Sequence, residues 1–429
     1  MTKVDIKEWF KKPTTIRIII LIAVQAFLAL LFDIFGLGAG SIGTFTFLAY
    51  ADAFTYAGTF IILLYPPLLS SDGGIGVLVS RLGTGLHIGS VKPKLFKNTT
   101  YYYTLISAVL TLGVFNALWI GGVSYITNLV VLGTKRVLNP VPFIVIPVLT
   151  LTLASLISSQ IGSLMAFFMF KKGLNPDVWV YPTMSTVNNI LSTVFYAVMI
   201  FLLKPANWYS DSGEWMKVTN GTYFAIIPVF LYLVFISVIV GRNVGKKDYR
   251  KIIKEAVPVQ TVTLTINSLT GGILSRADVA LTSLPGLFLV YPALIDTLGD
   301  EITIIANETS TNLALGSIEP KLSAIKDKDL WTNLIGVGIA GLFLHFIYGI
   351  FGSIIVGDFQ KIGLVLGISL MINVFGFLVV QSLAFILMIF GFKKGLDPDN
   401  FAVPIIASLS NLVTSVLILF FTIAFAFAI

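Results

Sequence analysis

The chain lacks cysteine altogether and has few charged side chains for its length. The absence of cysteine from all 429 residues excludes disulfide bonds and thiolate metal sites. Charged residues make up only 11% of the chain, whereas a soluble protein has roughly 25%. Its two histidines, His87 and His345, have no metal-ligand spacing, and we expect structural or interfacial roles for them. No Ser/His/Asp set, HExxH sequence, Walker loop or pair of catalytic acids is present, which argues against an enzyme.

Long apolar runs dominate the sequence instead. Hydrophobic residues make up 56% of the chain, and the mean hydropathy is +0.93. Because a helix needs roughly 20 apolar residues to cross a bilayer, we predict an all-α, polytopic helical membrane protein with about eleven spans. These spans lie near residues 15–37, 44–70, 101–124, 142–169, 179–203, 222–241, 257–274, 279–296, 331–355, 362–391 and 400–427. The span at 362–391 is long, and we expect it to be tilted or broken at Gly367 or Gly376.

An internal repeat divides the spans into two halves. Residues 170–177 read FKKGLNPD, and residues 392–399 read FKKGLDPD at an offset of 222 residues. Residues 65–93 and 291–320 form a second pair, because both open with Tyr-Pro and both close with Gly-Ser-x-x-Pro. Duplicated halves that build a site at their shared interface are a common transporter design.

Basic residues indicate the orientation. With eleven spans, the clusters that contain Lys12, Arg81, Lys171, Lys246 and Lys393 all fall on one side, which the positive-inside rule makes the cytoplasm. We therefore expect a multi-pass protein of the cell membrane with its N-terminus in the cytoplasm and its C-terminus outside. Both halves then begin inside, so they are parallel repeats about an axis along the membrane normal.

This topology predicts four segments. Residues 1–14 form a cytoplasmic segment, and residues 15–203 form the first five-helix repeat. Residues 204–256 form a linker with an extra transmembrane helix, and residues 257–429 form the second five-helix repeat. The bilayer is the expected partner, and the net charge of +7 is spread over loops, so it does not indicate nucleic acid.

A charge at mid-bilayer costs roughly 2.5–3.5 kcal/mol, so each acidic side chain in or beside a span needs a reason to be there. We therefore treat these acids as candidate cation ligands. Asp52 and Asp278 each precede a paired proline by 14 residues; solvation at the outer interface is the alternative. Asp72 and the pair Asp300-Glu301 stand in short glycine-rich stretches that we interpret as turns. Carboxylates in such turns suit a hard cation, although a cytoplasmic turn with solvated acids would look the same.

One acid and one base occupy matching positions in the two halves. Glu308 aligns with Arg81, so the two side chains could pair across the axis. The alternative is two separate solvated residues at the cytoplasmic face of their helices.

The fifth span of each half carries amides and hydroxyls. Asn189 and Asn411 follow a proline by seven residues in each half, which is about two helical turns. Asn188 is adjacent to the first of them, and Thr186 and Ser408 precede the two by about one turn. These groups could contact a hydrated cation on the axis, or they could form hydrogen bonds between helices.

The ordered, duplicated set of motifs resembles the membrane domain of MgtE-type magnesium transporters, and most of all its duplicated version, solute carrier family 41. Residues 80–89 (SRLGTGLHIG) match the first repeat, and residues 309–316 (TSTNLALG) match the second. Gly299-Asp300 matches the family's Gly-Asn or Gly-Asp, whereas Asp72-Gly73 departs from it. Asp52 and Asp278 look like an acidic position that precedes the family's proline.

The resemblance implies five helices per unit and a cation path on the axis between the units. It implies magnesium or another divalent cation as the substrate and no resident cofactor. In bacterial members two chains supply the two units, so the duplication would let a single chain suffice.

One departure from the family bears on the substrate. The family's fifth helix carries an aspartate that holds the hydrated cation, and the matching positions are Asn189 and Asn411. Either Asp300, Glu301 and Glu308 supply the missing charge, with Asp52 and Asp278 helping at the outer part, or the substrate differs. A transporter of another cation or small solute on the same fold, and a membrane protein that does not transport, remain the alternatives.

Overall fold

The computed structural model describes residues 12–35, 42, 64, 67–68, 71, 73–132, 139–203, 220–274, 284–396 and 398–426. Every regular element in these ranges is a helix, which confirms the predicted all-α class. Asp52, Asp72 and Asp278 lie outside the described residues, so their assignment stays a prediction.

Five long helices belong to the first half. These helices are α1 (Pro13–Leu30), α2 (Gly73–His87), α3 (Thr100–Leu132), α4 (Pro140–Lys171) and α5 (Pro176–Leu203). The helix α1 is continued by a 3-10 turn at Leu31–Phe35.

Two helices lie between the halves, and five more form the second half. The two between the halves are α6 (Asn220–Phe224) and α7 (Ile226–Asn243). The second half consists of α8 (Lys247–Leu274), α9 (Pro285–Ala314), α10 (Lys328–Ile355), α11 (Ile362–Lys393) and α12 (Pro398–Ala426).

Eight segments within the described ranges are long and apolar enough to cross a membrane. They comprise α1 with its 3-10 turn, α3, α4, α5, α7, α10, α11 and α12. The predicted span at 257–274 lies in α8, and the described part of the span at 279–296 lies mostly in α9. Both helices fail this test because they carry many polar residues. The predicted span at 44–70 lies mostly outside the described residues. The prediction of a polytopic helical membrane protein is confirmed.

Two of the expected local breaks do not occur. The helix α9 continues through Gly299, Asp300 and Glu301, so the predicted turn does not form there. Gly299 lies where α9 packs on α12, and a Cβ at this position would make an ordinary contact with Ser410 at 3.7 Å. Likewise α11 runs unbroken through Gly367 and Gly376, and the second of these makes room for the side chain of Leu298 on α9.

The two halves exchange their first helices. The helix α1 packs along α10 of the second half, and α8 packs along α3 of the first half. Close approach of α1 to α10 requires Gly336, where a Cβ would lie 2.6 Å from Ile22. On the other side, the Trp119 indole donates to the Thr265 hydroxyl at 3.0 Å, which ties α3 to α8. Each half is therefore completed by a helix of the other.

Candidate functional site

Four helices form a closed ring between the halves. The second and fifth helices of the first half, α2 and α5, contact each other, and each also contacts the second half. The ring is completed by α9 and α12, because α5 packs on α9, α9 on α12 and α12 on α2. This arrangement places the second and fifth helix of each repeat around one common centre.

A polar stripe runs along the side of α9 that faces α2 and α5. Its side chains recur every three or four residues, so they lie on one face of the helix. They are Asp296, Asp300, Thr303, Asn307 and Thr311. Fifteen residues separate the first from the last, which corresponds to about 22 Å along the helix axis.

Three hydrogen bonds join this stripe to the first half. The Asn189 amide donates from Nδ2 to Asp296 Oδ1 at 2.7 Å. The Ser80 hydroxyl of α2 donates to Asn307 Oδ1 at 2.8 Å. The Thr311 hydroxyl donates to Asp177 Oδ2 at 2.7 Å, at the beginning of α5. The stripe therefore lies in the interface between the halves, buried from Asp296 to Asn307 and partly exposed at Thr311.

The pair formed by Asn189 and Asp296 is the most informative contact in the ring. Both side chains are buried, with exposed fractions of 2% and 9%. The Asn189 carbonyl oxygen Oδ1 has no hydrogen-bond partner among the described residues. Sequence reasoning found Asn189 but missed Asp296, although a carboxylate four residues after Pro292 within an apolar run was a usable signal.

A second buried acid, Asp33, comes from the 3-10 turn after α1 and is fully inaccessible. The Thr186 hydroxyl of α5 donates to its Oδ1 at 2.8 Å, and the Thr297 hydroxyl of α9 donates to its Oδ2 at 2.9 Å. Asp300 lies within hydrogen-bonding reach of the same carboxyl group. The sequence analysis did not select Asp33, because a lone acid near the end of a predicted span looks interfacial.

Two of the predicted acids lie on another side of α9. Glu301 accepts a hydrogen bond from Asn373 of α11 at 2.7 Å and lies 3.9 Å from His345 of α10. Glu308 accepts a hydrogen bond from Asn333 of α10. Both carboxylates are therefore hydrogen-bonded to helices of the second half.

Arg81 and Glu308 each contact a neighbour in their own half, and the pairing between them that was considered from the sequence stays a prediction. The guanidinium of Arg81 donates to the hydroxyl of Tyr101 at 2.7 Å.

The remaining polar residues of the fifth helices are also buried. Asn188 accepts a hydrogen bond from Ser158 of α4 at 3.1 Å, so it faces its own half. Ser408 accepts a hydrogen bond from Asn267 of α8 at 3.1 Å. Asn411 is 7% exposed, and its backbone carbonyl accepts a hydrogen bond from Ser415. Helix–helix hydrogen bonding therefore accounts for part of this set.

Within the described ranges, no group of three or more His, Asp or Glu side chains is arranged to hold a metal ion. The oxygen atoms at the ring come from carboxylates, amides and hydroxyls, which are the ligand types that a hard divalent cation prefers. Such groups can also bind an ion through its hydration water.

The fold and this buried ring define a polytopic helical membrane protein with a polar interface between two halves. The family model of MgtE, described as a divalent cation transporter, matches residues 65–199 and 291–422. These two segments make up more than half of the chain, and they begin with the repeated Tyr-Pro pairs. The chain belongs to the MgtE family of divalent cation transporters. Searches of curated proteins and of solved structures find no match.

Proposed function

We propose that the divalent cation, with magnesium as the first candidate, crosses the membrane inside the ring formed by α2, α5, α9 and α12. The proposal places the chain with the duplicated members of the family, solute carrier family 41. In such a chain one polypeptide supplies both units that surround the path.

The observation that carries this proposal is the buried contact between Asn189 and Asp296. Asn189 occupies the position where the family's fifth helix has an aspartate. Its amide is 2.7 Å from a carboxylate on the second helix of the other half. The negative charge is therefore one hydrogen bond away from the family's position, and it still faces the interface between the halves.

The amide and the carboxylate suit a hydrated ion. Magnesium dehydrates reluctantly, so an ion that keeps its water presents hydrogen-bond donors to the protein. The Asn189 Oδ1 atom is an acceptor with no partner among the described residues. We propose that this oxygen and the Asp296 carboxylate accept hydrogen bonds from the water of the ion.

The rest of the path follows the stripe on α9. Asp300 extends the acidic region, and Asp177 with Thr311 lies at the end that we assign to the cytoplasm. Glu301 and Glu308 act at a distance, through their charge, because they lie on another side of α9. Asp52 and Asp278 stay candidates for the outer end. The orientation with the N-terminus inside and the four-segment division of the chain belong to the same proposal.

A flux measurement tests this assignment. Purified protein is placed in liposomes that contain a magnesium-sensitive dye, and uptake is compared for wild type, Asp296→Asn and Glu319→Gln. The last variant is the matched control, since Glu319 is an exposed acid in a loop that pairs only with Lys321. We expect Asp296→Asn to reduce magnesium uptake strongly and Glu319→Gln to leave it unchanged.

Two results would contradict the proposal. Equal uptake by wild type and Asp296→Asn would remove Asp296 from the path. Folded wild-type protein that moves no divalent cation, but moves another cation or a small solute, would mean that the substrate has changed on this fold.

The interlocked halves also support a monomer as the working unit. Each half already contains the first helix of the other, and the ring closes within one chain. Light scattering of the detergent-solubilised protein, corrected for bound detergent, measures the oligomeric state directly.

A further inference from the structure

We infer that Asp33 is a specificity residue for the transported cation, supplying negative charge beside the site that the two fifth-helix asparagines leave neutral. The inference rests on the proposed path through the ring. Asp33 lies outside the two segments that match the family model, so the family motif does not account for it.

The position of Asp33 is set by the exchanged first helix. The helix α1 ends at Leu30, and the following 3-10 turn inserts the Asp33 carboxylate between α5 and α9. It accepts one hydrogen bond from each of these helices, through Thr186 and Thr297. Thr186 precedes Asn189 by one turn, and Thr297 follows Asp296 directly. The carboxylate therefore holds the two helices whose side chains meet in the Asn189–Asp296 contact.

The second half contains an uncharged version of this joint, by which we mean the side-chain hydrogen bond between the first and the fifth helix of a half. Asn267 on α8, the first helix of that half, donates to Ser408 on the fifth helix α12 at 3.1 Å. Ser408 and Thr186 are repeat-equivalent at the offset of 222 residues. An amide is therefore sufficient to join a first helix to a fifth helix in this fold. The negative charge at Asp33 goes beyond what the joint requires.

Burial makes this additional charge expensive. A carboxylate that is fully removed from water is strongly disfavoured unless charged or hydrogen-bonding partners compensate it. Two hydroxyl groups donate to Asp33, and Asp300, which lies within hydrogen-bonding reach of it, would repel it when both are ionised. A cation in the adjacent path would be attracted by both carboxylates. A divalent ion gains more from this charge than a monovalent one, because the Coulomb energy scales with the product of the charges.

The test replaces Asp33 by the residue that the other half uses. In Asp33→Asn the side chain keeps its size and its Oδ1 acceptor, so the joint to Thr186 can persist. Magnesium affinity is measured by isothermal titration of the purified protein, and the ratio of magnesium to potassium flux is measured in liposomes. We expect the affinity to fall by about 10- to 100-fold, the range seen when residues next to a metal's direct ligands are changed. The flux ratio should shift toward potassium.

Two further variants separate charge from structure. Asp33→Glu keeps the charge, so we expect it to bind magnesium more tightly than Asp33→Asn. The double variant Asp33→Asn/Asn189→Asp returns one carboxylate to the fifth helix and should recover part of the lost affinity and the flux ratio. A purely structural role for Asp33 would not be repaired by a charge at position 189.

The possible failures are distinguishable. Wild-type protein that neither binds nor transports magnesium would overturn the proposed path itself. Wild-type activity with an unchanged affinity and flux ratio in Asp33→Asn would overturn only the role of Asp33. If Asp33→Asn does not fold, the double variant and Asp33→Glu provide the test. A loss of magnesium selectivity relative to wild type that is equally large in both variants would refute the inference.

Discussion

Replacing Asn189 by aspartate would place a second carboxylate opposite an acid that is already present. In the structure the Asn189 amide donates to Asp296 Oδ1 at 2.7 Å. In Asn189→Asp this donor becomes a second carboxylate, so an attractive contact turns into a repulsive one. The variant therefore reports whether positions 189 and 296 belong to one ion site.

The size of the effect follows from the distance. Two unit charges at the observed 2.7 Å repel by about 6 kcal/mol at an effective dielectric constant of about 20, and by about 4 kcal/mol if they move apart to roughly 4 Å. Loss of the original hydrogen bond to a charged group adds about 1.5–3 kcal/mol. Since a folded protein is stable by only about 5–15 kcal/mol, the ion-free variant should unfold at a clearly lower temperature than wild type.

Magnesium should reverse much of this loss. A divalent cation between the two carboxylates replaces their repulsion by attraction, and binding to the folded state alone raises stability. The assay is thermal unfolding in detergent at pH 8, with and without magnesium, for wild type, Asn189→Asp and the surface control Glu319→Gln. An Asn189→Asp variant that is as stable as wild type without magnesium, and gains no more from magnesium, would refute a shared ion site.

The remaining predictions concern close helix contacts. Gly121→Ala would place a Cβ 1.9 Å from the backbone oxygen of Phe143, which cannot rotate away, so we expect a loss of about 1–3 kcal/mol. Gly122→Ala is the matched control, because its Cβ would meet nothing within 4 Å, and thermal unfolding should show equal or higher stability; equal loss in both variants would contradict the packing argument. Gly83→Ala would place a Cβ 1.9 Å from Oδ1 of Asp177, so the carboxylate must move. We expect this variant to fold but to show reduced magnesium flux, and unchanged flux would remove Asp177 from the path.

The class of the protein could be predicted from the sequence because membrane helices follow from composition. A run of about 20 apolar residues has few stable conformations in a bilayer other than a helix. The FKKGL and Tyr-Pro motifs showed the internal repeat, and residues 80–89 and 309–316 carried the resemblance to the family, which the match to residues 65–199 and 291–422 confirms. None of this required knowledge of how the helices pack.

The packing itself could not be predicted in the same way. An apolar helix is equally compatible with lipid and with another helix, so nothing in α1 indicates that it packs on α10 of the other half. The glycine at 299 appeared to mark a turn, whereas it lies inside α9 where this helix packs on α12. Asp296 and Asp33 were missed because each is a single acid whose partner is distant in the sequence.

The asymmetry of the two halves is a consequence of having both in one chain. In a symmetric dimer every charge beside the axis occurs twice, whereas each half of a fused chain can change alone. At the offset that aligns Tyr65 with Tyr291, Asp296 and Asp300 correspond to Ser70 and Gly74. At this offset the two acids of α9 have no acidic counterpart in the first half.

The carboxylates beside the fifth helices lie mainly at one contact of the ring. Asp33, Asp296 and Asp300 bring three carboxyl groups to the contact between α5 and α9, whereas Asn189 and Asn411 are uncharged. An ion attracted by these groups would lie off the axis, nearer to Asn189 than to Asn411. For the same reason we expect corresponding substitutions in the two halves to have unequal effects on transport, with the larger effect at position 189.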